Sequence, residues 1–225
     1  MTSAILRAWR GQLRLPSIEC PKPIRTSQGA WARRLARGPS QQRASKADGL
    51  ELCRRRGLHR EFEPTLLVPI GRDRFARVHW LTPQAAQALA GLRKAALGAG
   101  IDLEVISSYR SVRAQQGIVA RKLRAGQTLA EIFAVNAPPG YSEHHSGECV
   151  DFAVPGAEPL TEAFDTTPAF AWLAREAPKF GWRMSYPRGN LQGYVYEPWH
   201  WRFRPTRQRR QKAAAKHVPL SALGL

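Results

Sequence analysis

The sequence lacks any apolar run close to the roughly 18 residues that a membrane-spanning helix needs. Its first residues, Met1 to Leu15, are interrupted by arginines and lack the apolar core of a secretory signal, so no export signal is visible. Cysteines are few. Cys20, Cys53 and Cys149 are an odd number without metal-site spacing, which argues against a disulfide framework and against a Cys-based zinc finger.

Acidic residues are scarce at both ends of the chain. The formal net charge is +18, but residues 1–60 hold 14 Lys and Arg against three acids, and residues 202–225 hold seven against none. Residues 61–201 carry 14 basic and 14 acidic side chains, so this central part is neutral. The charge alone is compatible with a basic nucleic-acid-binding protein, but its restriction to the flanks disfavours that class, and we expect no specific nucleic-acid partner.

The composition divides the 225 residues into three parts. Residues 1–60 mix Arg, Ser, Gln, Gly and Pro with little apolar periodicity, which predicts a disordered basic leader, with a polyanion-binding arm as the alternative. Residues 61–204 form the expected folded domain, and residues 205–225 form a basic tail. At 43% hydrophobic residues, the chain has enough apolar material for a core.

Helix and strand signals do not alternate strictly in the central part, which predicts an α+β fold with a mainly antiparallel sheet flanked by helices. Thr82-Pro83 and Thr167-Pro168 each combine a helix cap with a first-turn proline. The predicted strands are Thr65–Ile70, Ile101–Ser107, Glu148–Val154, Trp182–Tyr186 and Tyr194–Phe203. The predicted helices run from Pro83 to Leu97, Val112 to Arg124, Leu129 to Val135 and Pro168 to Phe180.

Two segments place histidine and carboxylate side chains close together: residues 142–151 (SEHHSGECVD) and residues 197–202 (EPWHWR). Catalytic zinc takes three protein ligands from His, Asp and Glu and leaves a fourth position for water. His144 and Asp151 can meet at one metal ion if the chain turns at Gly147, and His200 can complete the set from a neighbouring strand. Each spacing alone is a weak signal. In a regular strand Glu197 and His200 would face opposite sides, unless Pro198 bends the chain.

The order of these motifs resembles the VanY-type D-alanyl-D-alanine carboxypeptidases, a family of zinc peptidases that shares a hedgehog-like fold. The resemblance rests on Ser-Glu-His-His-Ser-Gly with Asp151, on Tyr-Glu-Pro-Trp-His-Trp-Arg, on Ser-Ser-Tyr-Arg-Ser-x₃-Gln at residues 107–115, and on residues 185–190 (SYPRGN). It covers roughly residues 65–204.

The resemblance implies roles for individual residues. His144, Asp151 and His200 would hold one zinc ion, and Glu197 would be the general base. Arg110 would meet the substrate carbonyl or carboxylate. The remaining implied contacts, with the substrate, are Gln115, Ser142 and Tyr109.

Two residues near the motif need separate interpretation. His145 lies where the family varies, and we interpret it as a neighbour of the ligands. Cys149 shares strand parity with Asp151 and so could face the metal, but a buried structural role is favoured, because a fourth protein ligand would close the site to water.

The resemblance implies a zinc carboxypeptidase that removes the C-terminal D-alanine of peptidoglycan stem peptides or other D-Ala-terminated peptides, as a DD- or LD-enzyme. The closest alternative is an endopeptidase that cuts L-Ala–D-Glu bonds on the same fold. We expect no membrane span. As written, the chain would be cytoplasmic, and it would belong to the cell envelope if translation starts elsewhere.

Overall fold

The computed structural model describes residues 51–205. The predictions for residues 1–50 and for the tail beyond residue 205 therefore lie outside the described residues. No helix in the described part is both long and apolar enough to cross a membrane. The strands are β1 Val68–Arg72, β2 Val78–Leu81, β3 Glu104–Ser107, β4 Cys149–Ala153, β5 Trp182–Met184 and β6 His200–Phe203. The α-helices after residue 60 are α1 Pro83–Gly98, α2 Val112–Arg124, α3 Leu129–Val135 and α4 Pro168–Glu176, and short 3₁₀ helices are Glu143–Ser146, Glu162–Thr166 and Ala177–Phe180.

The strands form an antiparallel two-stranded ribbon, β1-β2, and an antiparallel four-stranded sheet in the order β3-β4-β6-β5. The predicted α+β class with a mainly antiparallel sheet is confirmed. In the sheet, Asp151 of β4 is the direct register partner of His200 of β6. Ser107 at the end of β3 is the register partner of Asp151 on the other side.

One face of the sheet is the main hydrophobic core. Because successive strand residues point to opposite faces, Val150 and Phe152 of β4 and Trp201 and Phe203 of β6 pack on this side. Helices α1 and α4 cover the same face with Leu, Ala and Trp side chains. Burying each large side chain contributes about 1.5–3 kcal/mol. Asp151, His200 and their same-parity neighbours are thereby left on the other face.

The helix signals in the sequence are confirmed by the structure. Thr82 and Thr167 each accept a hydrogen bond from the backbone N–H three residues later, Ala85 and Phe170. The predicted bounds of α2 and α3 are those of the structure. The helix that begins at Pro168 ends at Glu176 and continues as a 3₁₀ turn to Phe180.

The last predicted strand is wrong over residues 194–199. Strand β6 begins at His200, and the preceding residues form an irregular loop. The Asn190 side chain donates to the Tyr194 carbonyl and accepts from the Tyr194 N–H, so these backbone groups are satisfied without a strand partner. Pro198 has no N–H to offer a ladder. The chain turns at this point, and the His200 N–H donates to the Glu197 carbonyl at 3.1 Å.

The folded part of the chain also begins earlier than the sequence predicted. Residues 51–55 are helical, which corrects the expectation that a disordered leader continues to residue 60. Leu52 packs against the cluster formed by Val119, Ile132 and Phe133, and Cys53 is buried. Further along, the Arg56 guanidinium donates to the Phe133 carbonyl at 2.7 Å. The segment was hard to recognise because its few apolar residues are spaced among arginines.

Gly147 is the position where the turn between His144 and Asp151 has no room for a side chain. Its φ is +65°, and a Cβ there would lie 2.8 Å from Leu67 Cδ2 and 3.2 Å from Pro64 Cγ. Gly126 has a similar φ of +86°, but nothing lies within 4 Å of its Cβ position. An alanine at either position would have the same unfavourable positive φ, but only at position 147 would its Cβ also meet neighbouring atoms.

We therefore expect Gly147→Ala to destabilise the protein by about 2–3 kcal/mol and the matched Gly126→Ala by about 1 kcal/mol. Urea unfolding of both variants and of the wild type measures the difference. Equal losses would show that the packing of Leu67 and Pro64 against Gly147 does not restrict this turn.

Candidate active site

Three side chains converge on the sheet face opposite the main core. Asp151 comes from β4, His200 from β6 and His144 from the 3₁₀ helix Glu143–Ser146. Asp151 Oδ2 lies 3.3 Å from His144 Nε2, and Asp151 Oδ1 lies 3.0 Å from His200 Nδ1. All three residues are buried, with 3–6% of their surface exposed. The structure thus brings together the three predicted metal ligands.

The tautomer of His144 follows from its other nitrogen. His144 Nδ1 lies 2.7 Å from the carbonyl oxygen of Ser108, which can only accept a hydrogen bond. The proton of a neutral ring is therefore on Nδ1, and burial lowers the pKa of His144 and so favours the neutral ring. The unprotonated Nε2 then faces a carboxylate oxygen of Asp151. Two electron-pair donors that face each other in a buried place are suited to a shared cation.

His200 has partners on both nitrogens. Nδ1 faces Asp151 and lies 3.6 Å from Glu197 Oε2, whereas Nε2 lies 3.1 Å from Glu143 Oε2. Burial opposes a charge on this ring, but the surrounding Cys149, Asp151 and Glu143 raise the pKa of His200 well above its ordinary value. The surroundings therefore favour positive charge at this position.

Glu143 is the most important residue that the sequence reasoning missed. Besides His200, its carboxylate accepts a hydrogen bond from Ser185 Oγ at 2.5 Å and lies 3.2 Å from Arg202 Nη1. Arg202 in turn pairs with Glu61, with Nη2 2.8 Å from Oε2. Burial raises the pKa of Glu143, but His200 and Arg202 outweigh it and hold the pKa at about 2. Its signals in the sequence were its place in the Ser-Glu-His-His-Ser-Gly motif and its position directly beside a proposed ligand.

Tyr186 was also missed. Its ring centroid lies 4.6 Å from that of His200, and Tyr194 packs behind it with ring centroids 4.8 Å apart. Leu58, from the segment that was expected to be disordered, packs against this pair. An aromatic wall therefore supports one side of the His200 ring. No spacing in the sequence indicates this aromatic wall, because it combines tyrosines of an irregular loop with Leu58, which is distant in the chain.

Glu197 lies beside the converging residues through the turn that precedes β6. Its N–H donates to the Tyr186 carbonyl at 3.1 Å, which anchors the residue. Burial raises the pKa of Glu197 to about 7, against the opposing effect of His200. A carboxyl group with a pKa near neutrality is suited to exchanging protons in catalysis. A turn, and not the bent strand expected from Pro198, places Glu197 on the same side as His200.

Arg110 lies next to this group. Its backbone N–H donates to the His144 carbonyl at 3.1 Å, and its Nη2 donates to Ser142 Oγ at 3.3 Å. Its Nε is buried and has no hydrogen-bond partner within residues 51–205. His145, as expected, is a neighbour of the ligands: its Nε2 accepts from the Gly140 N–H, and its Nδ1 lies 2.5 Å from the Arg110 carbonyl. His145 therefore fixes the backbone that carries Arg110.

The other two residues with implied substrate contacts differ from each other. Gln115 is fully buried, and its amide donates to the Ala137 carbonyl at 2.7 Å. Its Oε1 is without a partner in the described part of the chain. The Tyr109 hydroxyl, by contrast, donates to Glu63 at 2.8 Å, so its hydrogen bond is directed away from the two histidines and Asp151.

Cys149 lies on the site side of β4, fully buried. Its Sγ is 3.0 Å from His200 Nε2 and 3.8 Å from Nδ1. Potential ligand atoms of His144, Cys149 and His200 all lie within 4.8 Å of one another, so the thiol is a geometric alternative to Asp151. Burial raises the pKa of Cys149 to about 12, and metal ligation requires the thiolate. The thiol also lies closer to the ring nitrogen that faces Glu143 than to the one that faces Asp151.

Comparison with known proteins agrees with this arrangement. The family model described as VanY, D-alanyl-D-alanine carboxypeptidase, matches residues 78–206, more than half of the chain. The chain belongs to the VanY family. The match includes every residue of the His144, Asp151 and His200 group, and also Glu197 and Arg110.

Two curated relatives are similar to more than half of the chain. YodJ of Bacillus subtilis (strain 168), named as a carboxypeptidase, is 34% identical over 130 residues, which are 55% of this chain and 46% of that protein. A D-alanyl-D-alanine carboxypeptidase of Enterococcus faecium is 29% identical over 127 residues, 55% of this chain and 37% of that protein. The chain therefore spans less than half the length of these two relatives.

Solved VanY-like structures share the fold. The LdcB LD-carboxypeptidase aligns with a TM-score of 0.60 at 29% identity, covering 69% of this chain and 75% of that one. The VanYB structure in complex with D-alanine-D-alanine aligns with a TM-score of 0.50 at 25% identity, covering 71% and 88%. The predicted fold group is confirmed.

The environment of Glu143 predicts a pH-dependent contribution to stability. Because the pKa of Glu143 is depressed from about 4.5 to about 2, its stabilisation is present above 4.5 and lost as the pH falls toward 2. In the metal-free protein we expect Glu143→Gln to cost about 2–3 kcal/mol near neutral pH, with the cost shrinking through that window. Urea unfolding at a series of pH values measures it. The exposed Glu158→Gln is the control, and a cost for Glu143→Gln that does not change with pH would contradict the prediction.

Proposed function

We propose that this chain is a zinc-dependent carboxypeptidase that removes the C-terminal D-alanine from peptidoglycan stem peptides. The observation that carries the proposal is the convergence of His144 Nε2, the Asp151 carboxylate and His200 Nδ1, with the Glu197 carboxylate beside them. Support for the substrate comes from the relatives, because one is a D-alanyl-D-alanine carboxypeptidase and another structure contains D-alanine-D-alanine.

In this proposal one zinc ion is held by His144, Asp151 and His200. Two imidazole nitrogens and a carboxylate oxygen are a common ligand set of catalytic zinc. The ring nitrogens that point away from Asp151 contact other groups: His144 Nδ1 contacts the Ser108 carbonyl, and His200 Nε2 contacts Glu143. Histidines that bind a metal usually have such a carbonyl or carboxylate partner on their second nitrogen. Asp151 is preferred to Cys149 as the third ligand, since it is ionised and contacts the metal-facing nitrogen of both rings.

The side chains around the ligands then have distinct tasks. Zinc, when bound, supplies a Lewis acid that polarises the scissile carbonyl and makes a water molecule more acidic. Glu197, whose carboxylate lies 3.6 Å from His200 Nδ1, would accept a proton from the attacking water and pass it to the departing amine. Arg110 provides a permanent cation for the negative charge that develops on the carbonyl oxygen.

The substrate contacts are proposed from unsatisfied polar groups. Arg110 Nε and Gln115 Oε1 have no partner within residues 51–205, and Ser142 Oγ contacts Arg110. In this proposal they contact a carboxylate or amide of the bound peptide. Tyr109 stays a prediction, since its hydrogen bond is with Glu63.

The same geometry accommodates an LD-carboxypeptidase, and LdcB, named as such, supports that second candidate. Both candidates use the same ligands and the same base. They differ in the residue that precedes the released D-alanine, and this is decided by the substrate pocket.

The role of Glu197 predicts a separation of metal binding from turnover. Glu197→Gln keeps the size of the side chain but cannot accept the proton, so kcat should fall by about 10²–10⁴-fold while one zinc ion per chain is retained. Metal analysis and steady-state kinetics on the same preparation check both parts. The matched control is Glu176→Gln, which removes a carboxylate at the end of α4 that pairs with Lys179. It should leave both kcat and zinc content unchanged. A Glu197→Gln enzyme with wild-type turnover would exclude Glu197 as the base.

The substrate class is tested by product identification. Purified protein is incubated with tetrapeptide and pentapeptide stems, with and without a chelator, and the products are identified by mass. We expect chelator-sensitive release of free D-alanine: release from pentapeptides indicates the DD-enzyme and release from tetrapeptides the LD-enzyme. A cut after L-alanine would instead support the endopeptidase, and release that persists after complete metal removal would contradict the zinc mechanism.

A further inference from the structure

A second cluster of titratable side chains lies between the β1-β2 ribbon and the loop that follows β3, and the proposed mechanism does not use it. His79 Nδ1 lies 3.0 Å from Ser108 Oγ, and His79 Nε2 lies 3.1 Å from Asp73 Oδ2. The side chains of His79 and Asp73 are 8% and 0% exposed, and Ser108 is 3% exposed. Three polar side chains are thus buried together in a serine–histidine–aspartate series.

The direction of each hydrogen bond follows from its chemistry. Asp73 Oδ1 accepts from the N–H groups of Phe75 and Arg77, and its Oδ2 accepts from Arg77 Nε at 2.7 Å. Because a carboxylate can only accept, His79 Nε2 donates to Asp73, and the Ser108 hydroxyl is placed to donate to Nδ1. The Ser108 oxygen itself accepts from the Trp80 N–H at 3.1 Å.

These contacts identify the cluster as structural and not as a nucleophilic triad. One lone pair of Ser108 Oγ is engaged by a backbone N–H, its hydroxyl faces His79 Nδ1, and the residue is almost completely buried. A serine nucleophile needs an exposed oxygen beside a place for the reacting carbonyl. The described contacts of Ser108 Oγ are with the ribbon.

The cluster is connected to the candidate active site through the backbone. The carbonyl of Ser108 accepts the hydrogen bond from His144 Nδ1 that leaves Nε2 free for a metal. Two residues later, the Arg110 N–H donates to the His144 carbonyl. The Tyr109 N–H between them donates to the Trp80 carbonyl at 3.1 Å. Residues 108–110 are therefore held on one side by the ribbon and on the other by the 3₁₀ helix that carries His144.

We propose that Asp73, His79 and Ser108 are positioning residues for the active site: they fix the Ser108 carbonyl, and through it the metal-binding tautomer of His144 and the place of Arg110. The ribbon would then be a support for catalysis in addition to its contribution to the fold. This inference rests on the proposed zinc site.

The experiment uses the full chain and three variants. Ser108→Ala removes the hydroxyl but keeps the carbonyl, and His79→Ala removes the connection to Asp73. His79→Asn keeps a side-chain acceptor near Ser108 and serves as the conservative variant. Thr167→Ala is the matched control: like Ser108, Thr167 has a hydroxyl with two hydrogen bonds, one donated to the Phe164 carbonyl and one accepted from the Phe170 N–H at the start of α4, and its loss costs about 1 kcal/mol through the lost cap.

Two readouts separate positioning from stability. At a temperature well below unfolding, we expect Ser108→Ala and His79→Ala to release zinc to a chelator about tenfold faster than the wild type, in the range seen when outer partners of metal ligands are removed. The kcat for D-alanine release should fall about tenfold with a smaller change in KM, since Arg110 acts on the developing charge. His79→Asn should lie between these variants and the wild type, and Thr167→Ala should change neither quantity.

A readout on the metal-free protein keeps this inference distinguishable from the zinc proposal. Nitrogen-15 NMR of the imidazoles reports the tautomer of His144, which should be the Nδ1–H form in the wild type and a mixture in Ser108→Ala. If the wild type binds no zinc but the His144 tautomer changes in Ser108→Ala, the zinc proposal fails and the positioning role stands. If Ser108→Ala matches Thr167→Ala in zinc release and keeps the wild-type tautomer, the positioning role is wrong. Should His79→Ala not fold, Ser108→Ala decides the outcome alone.

Discussion

The arrangement of the candidate site depends on one buried carboxylate. Asp151 is almost inaccessible to water, and its two oxygens contact one nitrogen of each histidine. A buried charge of this kind is costly unless a positive charge lies beside it. The neighbouring histidines hold the pKa of Asp151 below its ordinary value although burial opposes this, so the residue is ionised. The site is therefore built to hold positive charge, either as a proton or as a metal ion.

The surroundings determine which nitrogens face this charge. Ser108 O occupies Nδ1 of His144, and Glu143 occupies Nε2 of His200, so the two rings present different nitrogens to Asp151. Each of these partners has further contacts of its own. Ser108 is hydrogen-bonded to the β1-β2 ribbon. Glu143 contacts Ser185 and Arg202, and Arg202 also pairs with Glu61. The outer contacts thus come from both sides of the site.

Membership of the VanY family is established by a match that spans most of the folded part of the chain. The bond that is cut is a finer question. In the proposed function, DD- and LD-activity would use the same ligands and base, so the difference would lie in groups that contact the penultimate residue of the peptide. The substrate contacts proposed for Arg110, Ser142 and Gln115 do not by themselves distinguish the two peptides.

Local signals in the sequence were sufficient for much of the fold. Capping threonines, first-turn prolines and apolar periodicity predicted the helices, because these signals act within a few residues. The start of the strand predicted over Tyr194–Phe203 was misjudged because the hydrogen bonds of Asn190, which satisfy the loop backbone, cannot be recognised from residue type alone. The order at residues 51–58 was missed because it depends on contacts with residues far along the chain.

The candidate site, like the fold, was predictable from the sequence only in part. By itself, the sequence determined which side chains could act, since His144, Asp151, Glu197 and His200 occur in recognisable motifs whose order is specific to the family. Only the tertiary structure decided how they meet: the register of β4 with β6 places Asp151 opposite His200, and a turn places Glu197 beside them. The contributions of Glu143, Tyr186 and the Asp73–His79–Ser108 cluster were also decided there. The physical reason is that these groups act through hydrogen bonds and packing between segments distant in sequence, and no local pattern records such contacts.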